Sequence, residues 1–418
     1  MRDFFKIFLT VFVFLLWGAM SLRAEKSAFT LEEAIAKARA ENPELAALEA
    51  AAAAARGGVT TARAWGNPTL TLEPGVRRAL EEDAFTTGFN GAISLSQPFK
   101  FPGKQTLEIA IAQSDVKLRE TAMEGFRLQM AIRVKRAFYE MLTAQAIAQA
   151  RSEQTASASA FAESAKKRAE GGYTGDFEAL KSQADLIAAQ VAQREAEGRV
   201  AQARIELNTL MGRPPAAPLD AKGAIEGLAA RGRTTDFIAL AFAQNPALRA
   251  LDIEAEKAGL TLRHARRDAL PDVSVGSSAE YYKDEQIYSL SISLPLPIWD
   301  RGKGGIQTAT AQQEQTLAEI RRLRLEIAGG VAKAAAGLDA ATSQLALYPS
   351  SLLDKMRAFV QQAEEGYARS ETTLLIYLDA KSTYFDTLAG YYEALGRVAT
   401  SRAELESAIG APLNLLKP

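Results

Sequence analysis

The 418-residue chain contains no cysteine and a single histidine, His264. The first absence removes disulfides, thiolate metal sites, a cysteine nucleophile and a lipid-modified N-terminal cysteine together. His264 stands among arginines in "LRHARRD", on an expected helix, which is the setting of a solvated polar residue rather than of a metal ligand or a base. Net charge is also nearly absent: it is −1 with 24% charged residues, so the chain is neither a nucleic-acid binder by charge nor a disordered tail. No triad, zinc or phosphate-loop pattern assembles, and the acidic residues are scattered at helical spacing. Neither enzymatic activity nor a cofactor is expected. Long apolar runs are missing except at the N-terminus. There Lys6 is followed by an apolar run from Ile7 to Met20 and then by "SLRA" ahead of Glu25. The run falls short of the roughly 20 residues that span a bilayer, and the layout is that of a cleaved signal peptide over residues 1–24.

What the chain does have is one unit written twice. "ENPELAALEA" at Glu41 returns as "QNPALRALDI" at Gln244, "ISLSQPFKFPGK" at 93–104 as "ISLPLPIWDRGK" at 292–303, and "ARIELNTLMGRP" ending at Pro214 as "SRAELESAIGAP" ending at Pro412. The order of landmarks is the same in both halves, which predicts a tandem-repeat protomer. The first repeat, 25–220, reads as a helix, a strand hairpin at 68–98, a long helix at 103–170 and a return helix at 176–211. The second, 221–418, reads as a hairpin at 271–297, a long helix at 302–367 interrupted at Pro349, and a return helix at 374–409. Asn42-Pro43 and Asn245-Pro246 supply an N-cap acceptor and a preset φ, so a helix starts at each. Gly212 and Gly410, each followed two residues later by proline, stop one. The segment between the repeats, rich in proline and glycine, reads as a connector with at most a short helix.

The strands alternate. Phe89, Gly91, Ile93 and Leu95 oppose Asn90, Ala92, Ser94 and Ser96; Tyr288, Leu290, Ile292 and Leu294 oppose Ser289, Ser291 and Ser293. Each is about the length that crosses an outer membrane when tilted, roughly 9 to 11 residues. Four such strands cannot close a barrel alone, so they are expected to be pooled between subunits. At Pro98 and Pro297 the ladder is expected to end, and Gly103 and Gly302 to permit the turn into a helix.

With these motifs in order, together with "FTLEEAIAKARAENPEL", "YSLSISLPLPIWDRGKG" and "YARSETTLLIYLDAKSTY", the chain resembles the TolC-like outer-membrane efflux family over nearly its whole mature length. "ISLPLPIWDRGKG" is most similar to the branch of CzcC-type heavy-metal efflux channels. The resemblance implies a mainly α fold with a membrane β-barrel: a homotrimer whose twelve-stranded barrel, in outer-membrane lipid, continues as a periplasmic helical tunnel. It implies a periplasmic adaptor and an inner-membrane resistance-nodulation-division pump as partners. The implied activity is passive conduction of metal cations or small toxic compounds. A polypeptide-secretion duct of the same fold and a secreted structural coiled coil are the alternatives. The resemblance also carries a periplasmic gate onto Asp379, with Glu178 at the matching turn of the first half and Ile376 where some relatives have an acidic residue. The adaptor-docking turns fall at Gly172 and Tyr173 and at Ser370 and Glu371, with Ser370 replacing the usual glycine.

Overall fold

The computed structural model describes residues 28–77, 88–171, 176–225, 232–282 and 285–413. The expected signal peptide lies outside the described residues, as do Gly172 and Tyr173. The first repeat opens with the two-residue strand β1 (Ala28–Phe29), then α1 (Leu31–Glu41) and α2 (Pro43–Arg63). Thr30 and Glu33 form a reciprocal capping box at α1, and Asn42 Oδ1 accepts the Glu44 N–H at 2.9 Å to start α2. Strands β2 (Thr69–Arg77) and β3 (Gly88–Phe99) lead into α3 (Lys104–Glu170), whose 67 residues extend about 100 Å, and α4 (Asp176–Leu210) returns along it. The connector holds β4 (Asp220–Ala221), which pairs in parallel with β1, and no helix among its described residues.

The second repeat follows the same plan with α5 (Thr234–Gln244), α6 (Pro246–Asp268), β5 (Val273–Tyr281), β6 (Gln286–Ser293), α7 (Lys303–Leu345), α8 (Ser350–Ala368) and α9 (Leu374–Ile409). Asn245 Oδ1 accepts the Ala247 N–H at 2.9 Å, repeating the cap of the first half. The long helix over 302–367 is divided in two at the expected interruption, because Pro349 has no N–H to give the ladder and sits as the N-cap of α8. Gly212 and Gly410 take left-handed φ values of 71° and 73° at the helix ends.

Two equivalent cores hold the repeats together. Phe29, Met130, Phe138, Met141, Leu207 and Met211 bury in the first; Phe237, Ile327, Val331, Leu338, Leu405 and Ile409 bury in the second. Each core joins the opening helix of its repeat to the long helix and the return helix. Between repeats α3 packs on α6 and α9. At the α3–α9 contact Gly396 stands so near that an added Cβ would overlap Thr143 Oγ1.

Candidate functional site: a two-faced open sheet and a distal helical tip

All four longer strands form one antiparallel sheet in the order β2-β3-β5-β6. The register settles the two faces. Leu72 stands opposite Ile93, Ile93 opposite Ala279, and Ala279 opposite Tyr288. Side chains alternate along each strand, so Leu70, Leu72 and Val76 share a face with Phe89, Ile93, Leu95, Val275, Tyr288, Leu290 and Ile292. The other face carries Thr69, Thr71, Ser94, Ser96, Ser274, Ser278, Ser289, Ser291 and Ser293, with Ile287 its one large aliphatic side chain among the described residues. Apolar residues on the first face lie bare: Leu290 is 77% and Ile292 72% exposed. A contiguous apolar patch of this extent on a protein surface marks contact with a membrane or a partner.

The sheet is open. β2 and β6 each have one paired neighbour, so their outer edges present unsatisfied backbone groups. Beyond β6 the chain continues as Leu294, Leu296 and Ile298, all exposed, and Trp299, 93% exposed.

The strand–helix junctions differ in one respect from the sequence expectation. Pro98 does not end its ladder: it pairs with Ser274, and the strand runs one residue further to Phe99. It lacks an N–H for the ladder, but Gln97 and Phe99 on either side still pair with Val275 and Val273. In the second half the ladder stops at Ser293, four residues before Pro297, after which Pro295 and Pro297 together remove two donors. Gly103 and Gly302 sit at the helix starts with φ 88° and 69°. A side chain on Gly103 would meet Arg267 Nη1 at 2.9 Å, and that guanidinium donates to the Pro102 carbonyl at 2.7 Å. Buried Lys104 bonds across the repeat boundary to Asp272 at 2.9 Å and Asp268 at 3.3 Å, and Asp272 also accepts from the Phe101 N–H at 2.7 Å. These contacts fix the direction in which the long helices leave the sheet. His264 is not simply solvated: it lies half-buried, its Nε2 3.5 Å from Glu108 Oε1.

At the other end of α3, about 100 Å away, the helices close on an aromatic cluster. Tyr367 and Tyr377 stack with ring centroids 5.9 Å apart, and Phe161 packs on both. Of the three residues assigned to a gate, Asp379 and Ile376 are exposed on α9. Glu178 is half-buried and accepts the Tyr367 hydroxyl proton at 2.9 Å, tying α4 to α8 across 189 positions. Burial, then that bond, holds the Tyr367 pKa above its ordinary value, and burial pushes Tyr377 up to about 12.

Glu371 is exposed and within 3.4 Å of Arg369 Nε. Ser370 adopts φ 61°, a left-handed conformation that costs an L-residue about 1–2 kcal/mol. Ser370→Gly is therefore expected to stabilise the chain, by about 0.5–1 kcal/mol after the added unfolded-state entropy of glycine, read as a higher midpoint in thermal unfolding. Ser370→Ala should give no such gain.

Sequence reasoning missed Lys381. It is 3% exposed, its Nζ has no hydrogen-bond partner among the described residues, and it lies 5.5 Å from the Tyr377 ring. Burial lowers its pKa, opposed by Asp185 and Glu364. The spacing Tyr377, Lys381 was the available signal, since i and i+4 share a helix face. A lysine whose folded pKa lies below its unfolded value costs stability while both states are protonated. That cost fades as pH rises from the folded pKa towards 10.5. Lys381→Met should accordingly raise the melting temperature at pH 7 and flatten the alkaline part of the stability profile; a lower melting temperature at pH 7 would show that the charge is stabilised where it sits.

The sequence profile of outer membrane efflux proteins matches residues 34–213 and 237–411, two segments that coincide with the two repeats. The cobalt-zinc-cadmium resistance protein CzcC of Cupriavidus metallidurans is 22% identical over 383 residues, 91% of this chain and 90% of that protein. Protein CyaE of Bordetella pertussis is 27% identical over 330 residues, 74% of this chain and 69% of its own length. Among solved structures, that of CusC, described with transmembrane channel formation, superposes with a TM-score of 0.74 at 17% identity, covering 91% of this chain and 92% of CusC.

Proposed function

We propose that this chain, which belongs to the outer membrane efflux protein family, is a duct formed by three copies, through which divalent metal cations leave the periplasm. The family supplies the coarser part: an outer-membrane, non-enzymatic efflux channel that works with a periplasmic adaptor and an inner-membrane pump. One observation carries the finer part. A four-stranded sheet with a bare apolar face and two unsatisfied edges is unstable in lipid as a single copy, because no water is present there to bond the edge groups. Joining β6 of one copy to β2 of the next, three times, gives a closed twelve-stranded barrel with the serine face inward and the apolar face against acyl chains. The long helices then leave the barrel side by side as a periplasmic tube.

Divalent cations are the proposed cargo because CzcC, matched over nine-tenths of both chains, is a cobalt-zinc-cadmium resistance protein. Co-expression with its adaptor and pump should restore growth of a metal-sensitive host on cobalt, zinc or cadmium. Rescue of none of the three, with the protein assembled in the outer membrane, would remove the metal assignment.

Within this reading the gate charge is Asp379, which is exposed on α9, whereas Glu178 is engaged by Tyr367. Three symmetry-related carboxylates at the tip would attract cations. Asp379→Asn is expected to weaken cation selectivity and block by multivalent cations in planar-bilayer recordings, with trimer stability unchanged. Glu178 acts differently, as the tether on Tyr367. The turns containing Gly172 and Tyr173, and Ser370 and Glu371, are the proposed adaptor contacts. Photo-crosslinkers at Tyr173 and Glu371 should capture the adaptor in cells, and capture only from other parts of the tube would relocate that contact.

A further inference from the structure

The two strand–helix junctions each enclose a cavity, and the repeats have made them chemically unlike. The first, about 500 Å³, is walled by Trp65, Pro98, Phe99, Phe101, Pro102 and Val273. The second, about 790 Å³, shares apolar lining from Trp299, Leu296 and Pro297, but has Asp268 and Asp300 at the positions that match Trp65 and Phe101, with His264 beside them. Aromatic carbon in one therefore stands where carboxylates stand in the other.

From this difference we propose that the first cavity is a binding site for a phospholipid acyl chain, with the headgroup at its rim. Four observations support it, and it rests on the reading that the apolar face of the sheet meets lipid. Phe99 and Val273 belong to that face by register, so the cavity opens where the lipid-facing surface reaches the helices. Trp65, 66% exposed, meets Phe99 edge-on at 6.1 Å, placing an amphipathic ring at the level where tryptophan is favoured in membrane barrels.

Several carbonyls in and beside the wall are already engaged. Gln105 Nε2 donates to the Arg63 carbonyl at 2.9 Å, and Gln97 Nε2 donates to the carbonyls of Gly66 at 2.8 Å and Pro98 at 3.0 Å. What these bonds leave for an occupant is mainly carbon, in a volume within the usual range of small-molecule pockets, roughly 300–1,000 Å³. At the rim, Lys100 is paired with Glu108. A zwitterionic headgroup finds there a cation for its phosphate and an anion for its amine, which favours phosphatidylethanolamine.

Val273, from the following repeat, is part of the wall, so the first cavity stays open with that repeat in place.

Tryptophan fluorescence tests the site. The chain has three tryptophans, Trp17, Trp65 and Trp299. Trp17→Phe with Trp299→Phe leaves Trp65 as the sole reporter in the detergent-solubilised protein. Titration with brominated phosphatidylethanolamine should quench its emission along a curve that saturates near one lipid per protomer. Thr106→Phe, which adds bulk to the cavity wall from an exposed helical position, should abolish the saturable part. A reporter made by Ile292→Trp in a chain whose three native tryptophans are phenylalanine separates the two levels of the inference. In bilayers of the brominated lipid it should be quenched if the apolar face meets lipid. Quenching of that reporter with no saturable quenching of Trp65, or with saturation unaffected by Thr106→Phe, would overturn the cavity site alone. Failure to quench the Ile292→Trp reporter would overturn the orientation of the sheet on which the site rests.

Discussion

Ile292→Arg is expected to abolish the assembled trimer, whereas Ser291→Arg, one residue away on the same edge strand, is expected to assemble and alter conductance only. Ile292 lies on the bare apolar face opposite Val275, and Ser291 lies on the serine face opposite Gly276. An arginine on the lipid face of a barrel strand costs roughly 2–4 kcal/mol near the bilayer midplane. That penalty recurs in every copy, on the very strand whose outer edge must find a partner. On the inner face a long cationic side chain reaches water and loses little hydration. The readout is the heat-sensitive trimer band on gels, together with recovery in the outer-membrane fraction. Equal loss of trimer from both variants would remove the assignment of faces.

Gly396→Ala is expected to be the most destabilising small substitution in the helical region, and its sign is set by two competing effects. Alanine is favoured over glycine in a helix by about 1 kcal/mol. An added Cβ at 396 would overlap Thr143 Oγ1 and lie 2.8 Å from Thr143 Cγ2. Thr143 cannot simply swing aside, because its hydroxyl donates to the Tyr139 carbonyl at 2.8 Å and its rotamers are restricted on a helix. Overpacking of this kind costs about 1–3 kcal/mol and separates α3 from α9, so the clash outweighs the propensity gain. A fall in thermal midpoint is expected, with most of it recovered when Thr143→Ala is combined with Gly396→Ala. The same substitution at Gly198 on α4, where nothing lies within 4 Å, should raise the midpoint. A Gly396→Ala chain as stable as the parent would mean that the two helices are held together by contacts elsewhere.

Both results turn on how much of this protein can be read locally. The alternation in 288–294 assigns Ile292 and Ser291 to opposite faces before any coordinates exist, because side chains in a strand alternate and only one face can be apolar at no cost. The caps at Asn42 and Asn245 are equally legible, since an N-cap acceptor and a following proline act within two residues of one another. The candidate site was legible only in outline. Asp379 and Ile376 do lie exposed on α9, but no pattern along the chain tells that Glu178 is engaged by Tyr367. The first strand of the 68–98 hairpin runs through Pro74 to Arg77, on an edge of the sheet, where a residue without an N–H is tolerated.

The amino-acid sequence by itself determined the double unit, because its motifs recur in order, and also the period of each element, the places where helices start and stop, and the composition of each face of the sheet, which depend on residues a few positions apart. Only the tertiary structure decided what meets across long separations. It paired β3 with β5 over the repeat boundary, and joined β1 to β4. It brought Gly396 against Thr143 and buried Lys381 among Asp185, Glu364 and Tyr377. It set Trp65 and Phe101 in the wall of one junction cavity and Asp268 and Asp300 at the matching places of the other. Such contacts follow from how two long helical surfaces and two sheet halves fit together in space, and a close approach between residues some 250 positions apart leaves no period, cap or turn signal in the chain.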